Sequence, residues 1–140
     1  TGTFVSVGPM RAKAIMVGSP YVQDVVLTGL NMKEVGALIF PAPACREASG
    51  LGADASMDEV LASTPVRQRI QAIIDQLARE STGSASRIAR ALVLAEPPSP
   101  VLGEITDKGS VNQRAVLKHR AALVDALHDG SAPGTYQPQA

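Results

Sequence analysis

Between Gly103 and Arg114 the chain reads GEITDKGSVNQR. Lys108 lies on a short polar turn there, with Thr106 and Asp107 before it and Gly109 and Ser110 after it. Lysine carries a compact cation on a long stem, able to reach into a neighbouring site. A glycine beside it permits positive φ or close approach of the backbone to a ligand. Together these residues describe an ammonium held over a phosphate. They equally describe a solvated loop, because charged loop residues are mostly exposed. Taken alone, the turn leaves both readings open.

The other reactive groups offer less. His119 and His128 fall on one predicted helix at a separation that is not a metal spacing, and no Cys or carboxylate completes a cluster. They are expected to be surface histidines, with no metal site. Cys45 adjoins Arg46, a neighbour that can lower a thiol pKa, but no general base accompanies it and an inert thiol is expected. The chain has no Walker-type glycine-rich loop and no nucleophile elbow. Ser81-Thr-Gly-Ser84 reads as a polar connector.

The bulk numbers bound the remaining classes. The chain has 140 residues, the size of one ordinary domain. Lys+Arg and Asp+Glu are each 13, so neither nucleic acid nor an anionic membrane surface is an expected partner. Hydrophobic residues make up 45% and aromatics only 3%, so the core must be built from Val, Leu, Ile and Ala. One cysteine excludes an internal disulfide framework and fits a reducing, cytoplasmic setting. No apolar run reaches the length of a membrane span, and no signal peptide is visible. The chain opens on Thr1 and enters a predicted strand almost at once, which suggests a piece of a longer polypeptide.

Several elements must position the lysine turn. Phe4–Val7 alternates as a short strand, broken by Gly8-Pro9, and Met10–Val17 follows as a helix that Gly18 stops. Val22–Thr28 and Val35–Phe40 read as strands, and the short turn between them favours an antiparallel pair. Residues 44–55 are Gly- and Ala-rich and are expected to be irregular. Ser56-Met-Asp-Glu59 has the spacing of a capping box. From Thr64-Pro65, residues Val66, Ile70, Ile73, Ile74 and Leu77 form one apolar helical stripe. Residues 89–95 supply a third strand, and residues 96–103 are Pro-rich and extended. Asn112 can cap a last helix running to about Leu127. The pattern predicts an α+β fold, a small mixed or antiparallel three-stranded sheet packed with helices, plus the short N-terminal strand. Residues 1–129 form the domain and residues 130–140 a flexible tail. The lysine turn and the Ser81–Ser86 loop are expected to be the mobile parts.

Two segments in order carry a family resemblance. Thr1-Gly-Thr-Phe-Val-Ser-Val-Gly-Pro9 resembles the stretch just after the hinge of adenylate-forming acyl-CoA synthetases. Gly103-Glu-Ile-Thr-Asp-Lys-Gly-Ser-Val-Asn-Gln-Arg114 sits where that family carries its C-terminal lysine motif. The wording of both is closest to the feruloyl-CoA synthetase branch, and the likeness extends from Thr1 to about Asp129. One departure stands out: the common motif has Ser-Gly directly before the lysine, whereas here Asp107 precedes Lys108 and Gly109 follows it.

The resemblance implies a C-terminal lid domain of an ATP-dependent carboxylic acid–CoA ligase. Such enzymes form an acyl-adenylate from ATP and the acid, then let the CoA thiol displace AMP. ATP and Mg2+ would be bound mainly by an N-terminal adenylation domain, the lid's main partner, with CoA as co-substrate. The acid would be an aryl acid such as ferulate. Lys108 would be the catalytic lysine of the first step, with Thr106, Asp107 and Gly109 supporting its loop. Gly2, Thr3 and Phe4 would form the CoA-facing loop in the second step. Two rivals accompany this expectation. One is the lid of an adenylating domain serving a carrier protein; the other is a non-catalytic α+β interaction domain.

Overall fold

The segment VGALIFP is apolar at nearly every position, which suits a strand covered on both faces. In the computed structural model it is the central strand of the sheet. That structure describes residues 7–28, 35–80, 88–107, 111–132 and 134–138, with side-chain environments from residue 11 onward. In chain order its elements are α1 (Val7–Gly18), β1 (Val22–Thr28), β2 (Val35–Pro41), α2 (Ala44–Ser49), α3 (Met57–Ala62), α4 (Thr64–Glu80), β3 (Ile88–Val93), α5 (Gln113–His119) and α6 (Ala121–Asp129). The sheet order is β1-β2-β3. β1 runs antiparallel to β2, and β2 runs parallel to β3. This is the expected three-stranded mixed sheet.

Alternation along the strands divides the core in two. Val25, Leu27, Val35, Ala37 and Ile39 face one layer with Val60, Val66, Ile70, Ile74 and Leu77. Val26, Leu38, Phe40 and Leu92 face the other with Val116 and Leu127. The predicted stripe of α4 is therefore the main packing surface of the first layer. Each fully buried aliphatic side chain of this kind is worth about 1.5–3 kcal/mol.

Each outer strand is engaged on its open edge, where unpaired backbone groups would otherwise be exposed. On β1, the Leu27 amide donates to Gln113 Oε1 at 2.7 Å. On β3, Ala91 exchanges two backbone hydrogen bonds with Tyr136, at 2.9 and 2.7 Å.

Local chemistry explains where the helices start. Ser56 Oγ accepts from the Glu59 amide and Glu59 Oε1 accepts from the Ser56 amide, which completes the capping box. Asn112 accepts from the Ala115 amide at 3.2 Å and caps α5.

Four expectations need correction. The first helix begins at Val7, so that residue does not end a strand; residues 4–6 lie outside the described residues. Residues 44–49, expected to be irregular, form α2. Gly50 ends it at φ 74°, a conformation that costs glycine little. The last helix is two, broken at Arg120, whose backbone leaves helical geometry at φ −112° and ψ 30°. Residues 134–138, expected in a loose tail, dock on the sheet: Tyr136 is 3% exposed, and the Arg67 guanidinium lies 4.5 Å from its ring centre. The tyrosine ring supplies apolar area that a Gly- and Pro-rich composition conceals. The lysine turn's centre and the Ser81–Ser86 loop lie outside the described residues.

Gly36 on β2 faces α6 with no room for a side chain. A Cβ there would lie 2.5 Å from Thr28 Oγ1 and 2.9 Å from Leu127 Cδ2. Overpacking of a dense core costs roughly 1–3 kcal/mol. Gly36→Ala is therefore expected to destabilise the domain by that amount in urea unfolding, lowering the midpoint without changing the slope of the transition. A midpoint equal to that of the parent chain would show that the two layers can separate at no cost.

Candidate functional site

The segment carrying Lys108 is closed at its base. Ile105 and Val111 form an antiparallel bridge, and the Asn112 amide donates to the Glu104 carbonyl at 2.8 Å. Thr106 and Asp107 follow the bridge and are exposed. Lys108 and Gly109 lie outside the described residues, as do Gly2, Thr3 and Phe4.

At the Glu104 end the base is held by a buried ion pair. Glu104 is 1% exposed and Arg120 9%. Arg120 Nε donates to Glu104 Oε2 at 3.1 Å, and Nη2 donates to Oε1 at 3.0 Å. The same guanidinium donates to the carbonyls of Glu96 and Pro97 at 2.9 and 2.8 Å. Its carbon lies 5.1 Å from the centre of the Phe40 ring. Glu104 Oε1 also accepts from the Ser99 amide at 2.8 Å. A planar fork with five donors suits this role, because one residue can tie three stretches of chain together. The hydrogen bond from Arg120 holds the Glu104 carboxyl below its ordinary pKa, against the opposing pull of burial.

A second pair holds the Val111 end. Arg11, on α1, donates twice to Asp24 of β1, at 2.8 and 2.7 Å. Asp24 Oδ2 in turn accepts from the Val111 amide at 3.3 Å. A register shift between Val22 and Asp24 accompanies this acid in the strand. Gln113, two residues beyond Val111, is fastened to β1 through Leu27. Both ends of the lysine segment thus connect to the sheet or to helices packed on it.

The remaining candidates are quiet. Cys45 is buried and donates to the Tyr21 carbonyl at 3.2 Å; burial raises its pKa. Arg46 turns away to the carbonyls of Gly52 and Ala55. His128 Nε2 lies 2.6 Å from Thr28 Oγ1. Among the described residues no three His, Cys, Asp or Glu side chains are grouped to hold a metal, and no helix is long and apolar enough to cross a membrane.

Sequence reasoning missed Glu104, Arg120, Arg11 and Asp24. A signal existed for two of them. Arg120 falls four residues after Val116, in the buried register of the last helices, and Asp24 interrupts an otherwise β-branched strand.

Removing Arg120 would strand a buried carboxylate, which typically costs about 3–5 kcal/mol. Arg120→Met is expected to destabilise the domain by that amount in urea unfolding. The pair also sets a pH dependence. Because the folded carboxyl titrates below its ordinary 4.5, its contribution is complete above that pH and is lost as pH falls below it. Unfolding midpoints at pH 7 and pH 4 should therefore fall less in Glu104→Gln than in the parent chain. An equal acid loss in both would show that the pair is not the titrating element.

Comparison with known proteins places this arrangement. Residues 5–132 match the family of the AMP-binding enzyme C-terminal domain. No curated protein matches the sequence. Among solved structures, the A domain of carboxylic acid reductase from Segniliparus rugosus, in complex with AMP and a co-purified carboxylic acid, is similar with a TM-score of 0.65 and 19% identity. That likeness covers 92% of this chain and 19% of the reductase chain. The A-PCP didomain of carboxylic acid reductase from the same organism, in complex with AMP, gives a TM-score of 0.62 and 18% identity over 91% of this chain and 16% of that one. The chain thus spans less than a fifth of either solved relative, and at these identities the likeness is one of fold. With the family match running over nearly its whole length, this chain belongs to the AMP-binding enzyme C-terminal domain family.

Proposed function

We propose that this chain is the C-terminal lid of an ATP-dependent, acid-activating enzyme, and that Lys108 is its adenylation lysine. The supporting observation is the mooring of the lysine segment at both ends within a domain of this family. In the first step a substrate carboxylate attacks the α-phosphorus of ATP and pyrophosphate leaves. Charge shifts onto the phosphate oxygens as the bond forms. An ammonium positioned there stabilises the transition state more than the ground state. Thr106, Asp107 and Gly109 support the loop, and glycine allows close approach of the backbone. ATP and Mg2+ are held mainly by a partnering N-terminal adenylation domain. A cytoplasmic setting fits a chain with one cysteine.

In the second step the lid turns its other face to the site, and Gly2, Thr3 and Phe4 line the path of the incoming thiol. This is gating by a rigid body rather than chemistry by a lid residue. The resemblance of the two motifs to feruloyl-CoA synthetases favours CoA as the acceptor and an aryl acid such as ferulate as the substrate. A second reading draws on the fold likeness to an A-PCP didomain of a carboxylic acid reductase. In that reading the acceptor is a thiol on a carrier protein.

The decisive measurement separates the half-reactions in the full-length enzyme. Lys108→Ala is expected to slow adenylate formation by roughly 10²–10³, the usual loss for one electrostatic donor, and to leave thioester formation from supplied acyl-adenylate intact. Adenylation at the parent rate would exclude the lysine role. Offering CoA and a carrier protein side by side in the second half-reaction distinguishes the two acceptors. The 140 residues alone are expected to make no acyl-CoA from ATP, CoA and an acid; product formed by them would refute the lid assignment.

A further inference from the structure

We infer that the outer edge of β3 and the adjoining face of α4 form a docking site for an extended, tyrosine-bearing peptide. Its occupant is the chain's own segment 134–138, a strap that closes and releases as a unit while the rest of the domain stays folded. Lys108 plays no part in it. Three observations carry it.

The first is how the strap is recognised. Peptide docking on a sheet edge takes affinity from main-chain hydrogen bonds and specificity from side-chain pockets. Both are present here. Ala91 exchanges two backbone hydrogen bonds with Tyr136, at 2.9 and 2.7 Å, in an antiparallel bridge. From α4, Gln71 Nε2 donates to the Gln137 carbonyl at 2.8 Å. The Tyr136 ring is 3% exposed, with the Arg67 guanidinium 4.5 Å from its centre. Burial and a stacked cation together select an aromatic side chain at this place.

The second is how little else holds it. Among the described residues, Tyr136 makes the one bridge between the strap and the sheet. Open clefts flank the ring. One of about 260 Å³ is lined by Gly134, Tyr136, Asp58 and Leu61, and another of about 350 Å³ by Tyr136, Thr64 and Gln68. A strand built into the core would leave few such gaps, because interiors are densely packed.

The third is where it is joined. Ala132 is still tied to α6, its amide donating to the Ala126 carbonyl at 3.2 Å, and the family match ends at that residue. The strap starts just beyond, at Gly134, whose φ of 80° costs glycine little. A terminal segment tied down at a few points opens locally, well below the cost of unfolding the domain.

The test reads hydrogen exchange and peptide binding on the 140-residue chain. Two nearby amides face opposite ways. That of Ala91 donates to the strap, whereas that of Leu94 donates to the Ile39 carbonyl of β2 at 2.8 Å. After correction for intrinsic rates, the Ala91 and Tyr136 amides should exchange at least about tenfold faster than that of Leu94. Tyr136→Ala should quicken Ala91 further and leave Leu94 within about twofold. The acetylated, amidated peptide GTYQP should then bind Tyr136→Ala saturably and shift the Ala91 amide signal. It should bind the parent chain at least about tenfold more weakly, because a closed strap leaves the site vacant for only a small fraction of the time. Replacing the peptide's tyrosine by alanine should abolish binding. Equal exchange at Ala91 and Leu94 would overturn the inference, since the strap would then leave only when the domain unfolds. A Tyr136→Ala chain that does not fold would overturn it for the same reason. Peptide binding to parent and variant alike, or to neither, would remove the docking site.

Discussion

A carboxylate that is 1% exposed must be matched or the fold loses its stability, and in this domain the match is one guanidinium together with the Ser99 amide. Arg120 satisfies Glu104 with two hydrogen bonds and meets two further carbonyls with its remaining donors. The consequence is geometric as much as energetic. Residues 96–97, 104 and 120 are distant in sequence and are brought together at one planar group. The contrast with Lys13 and Glu80 is instructive. That pair is 3.0 Å apart with both side chains 41% exposed, a setting in which an ion pair contributes about 0–1 kcal/mol. Breaking a buried pair, by contrast, typically costs about 3–5 kcal/mol.

The sheet supplies the frame against which that pair acts. β2 is covered on both faces, and its two neighbours have their outer edges engaged by Gln113 and by Tyr136. The lysine segment leaves from the second layer of this frame and returns to it within a few residues.

Much of the frame was legible in the residues. The stripe of α4 follows from 3.6-residue periodicity, and the covered centre of the sheet follows from the unbroken apolar run of β2. The caps at Ser56 and Asn112 act as their side-chain chemistry requires. The departures share a physical cause: each depends on a partner far away in sequence. Tyr136 looks like part of a loose end until Ala91 and Arg67 are beside it. The final helix reads as continuous because the feature that accompanies its break, the Arg120 side chain on Glu104, lies sixteen residues from its partner.

For the candidate site the division is similar. Lys108, its glycine neighbour and the polar turn are local facts of composition, and with the N-terminal motif they suggested the family by resemblance. The residues that hold the turn are a different matter. Glu104, Arg120, Asp24 and Arg11 are charged side chains of the kind that usually face water. The sequence by itself determined the α+β class, the amphipathic helix faces, the caps and a candidate lysine, because these depend on spacing along the chain. The tertiary structure alone decided which charges are buried, which partner satisfies each, and hence how the lysine segment is held. Burial and pairing are properties of neighbours in space, and a buried charge is stable only where those neighbours meet it.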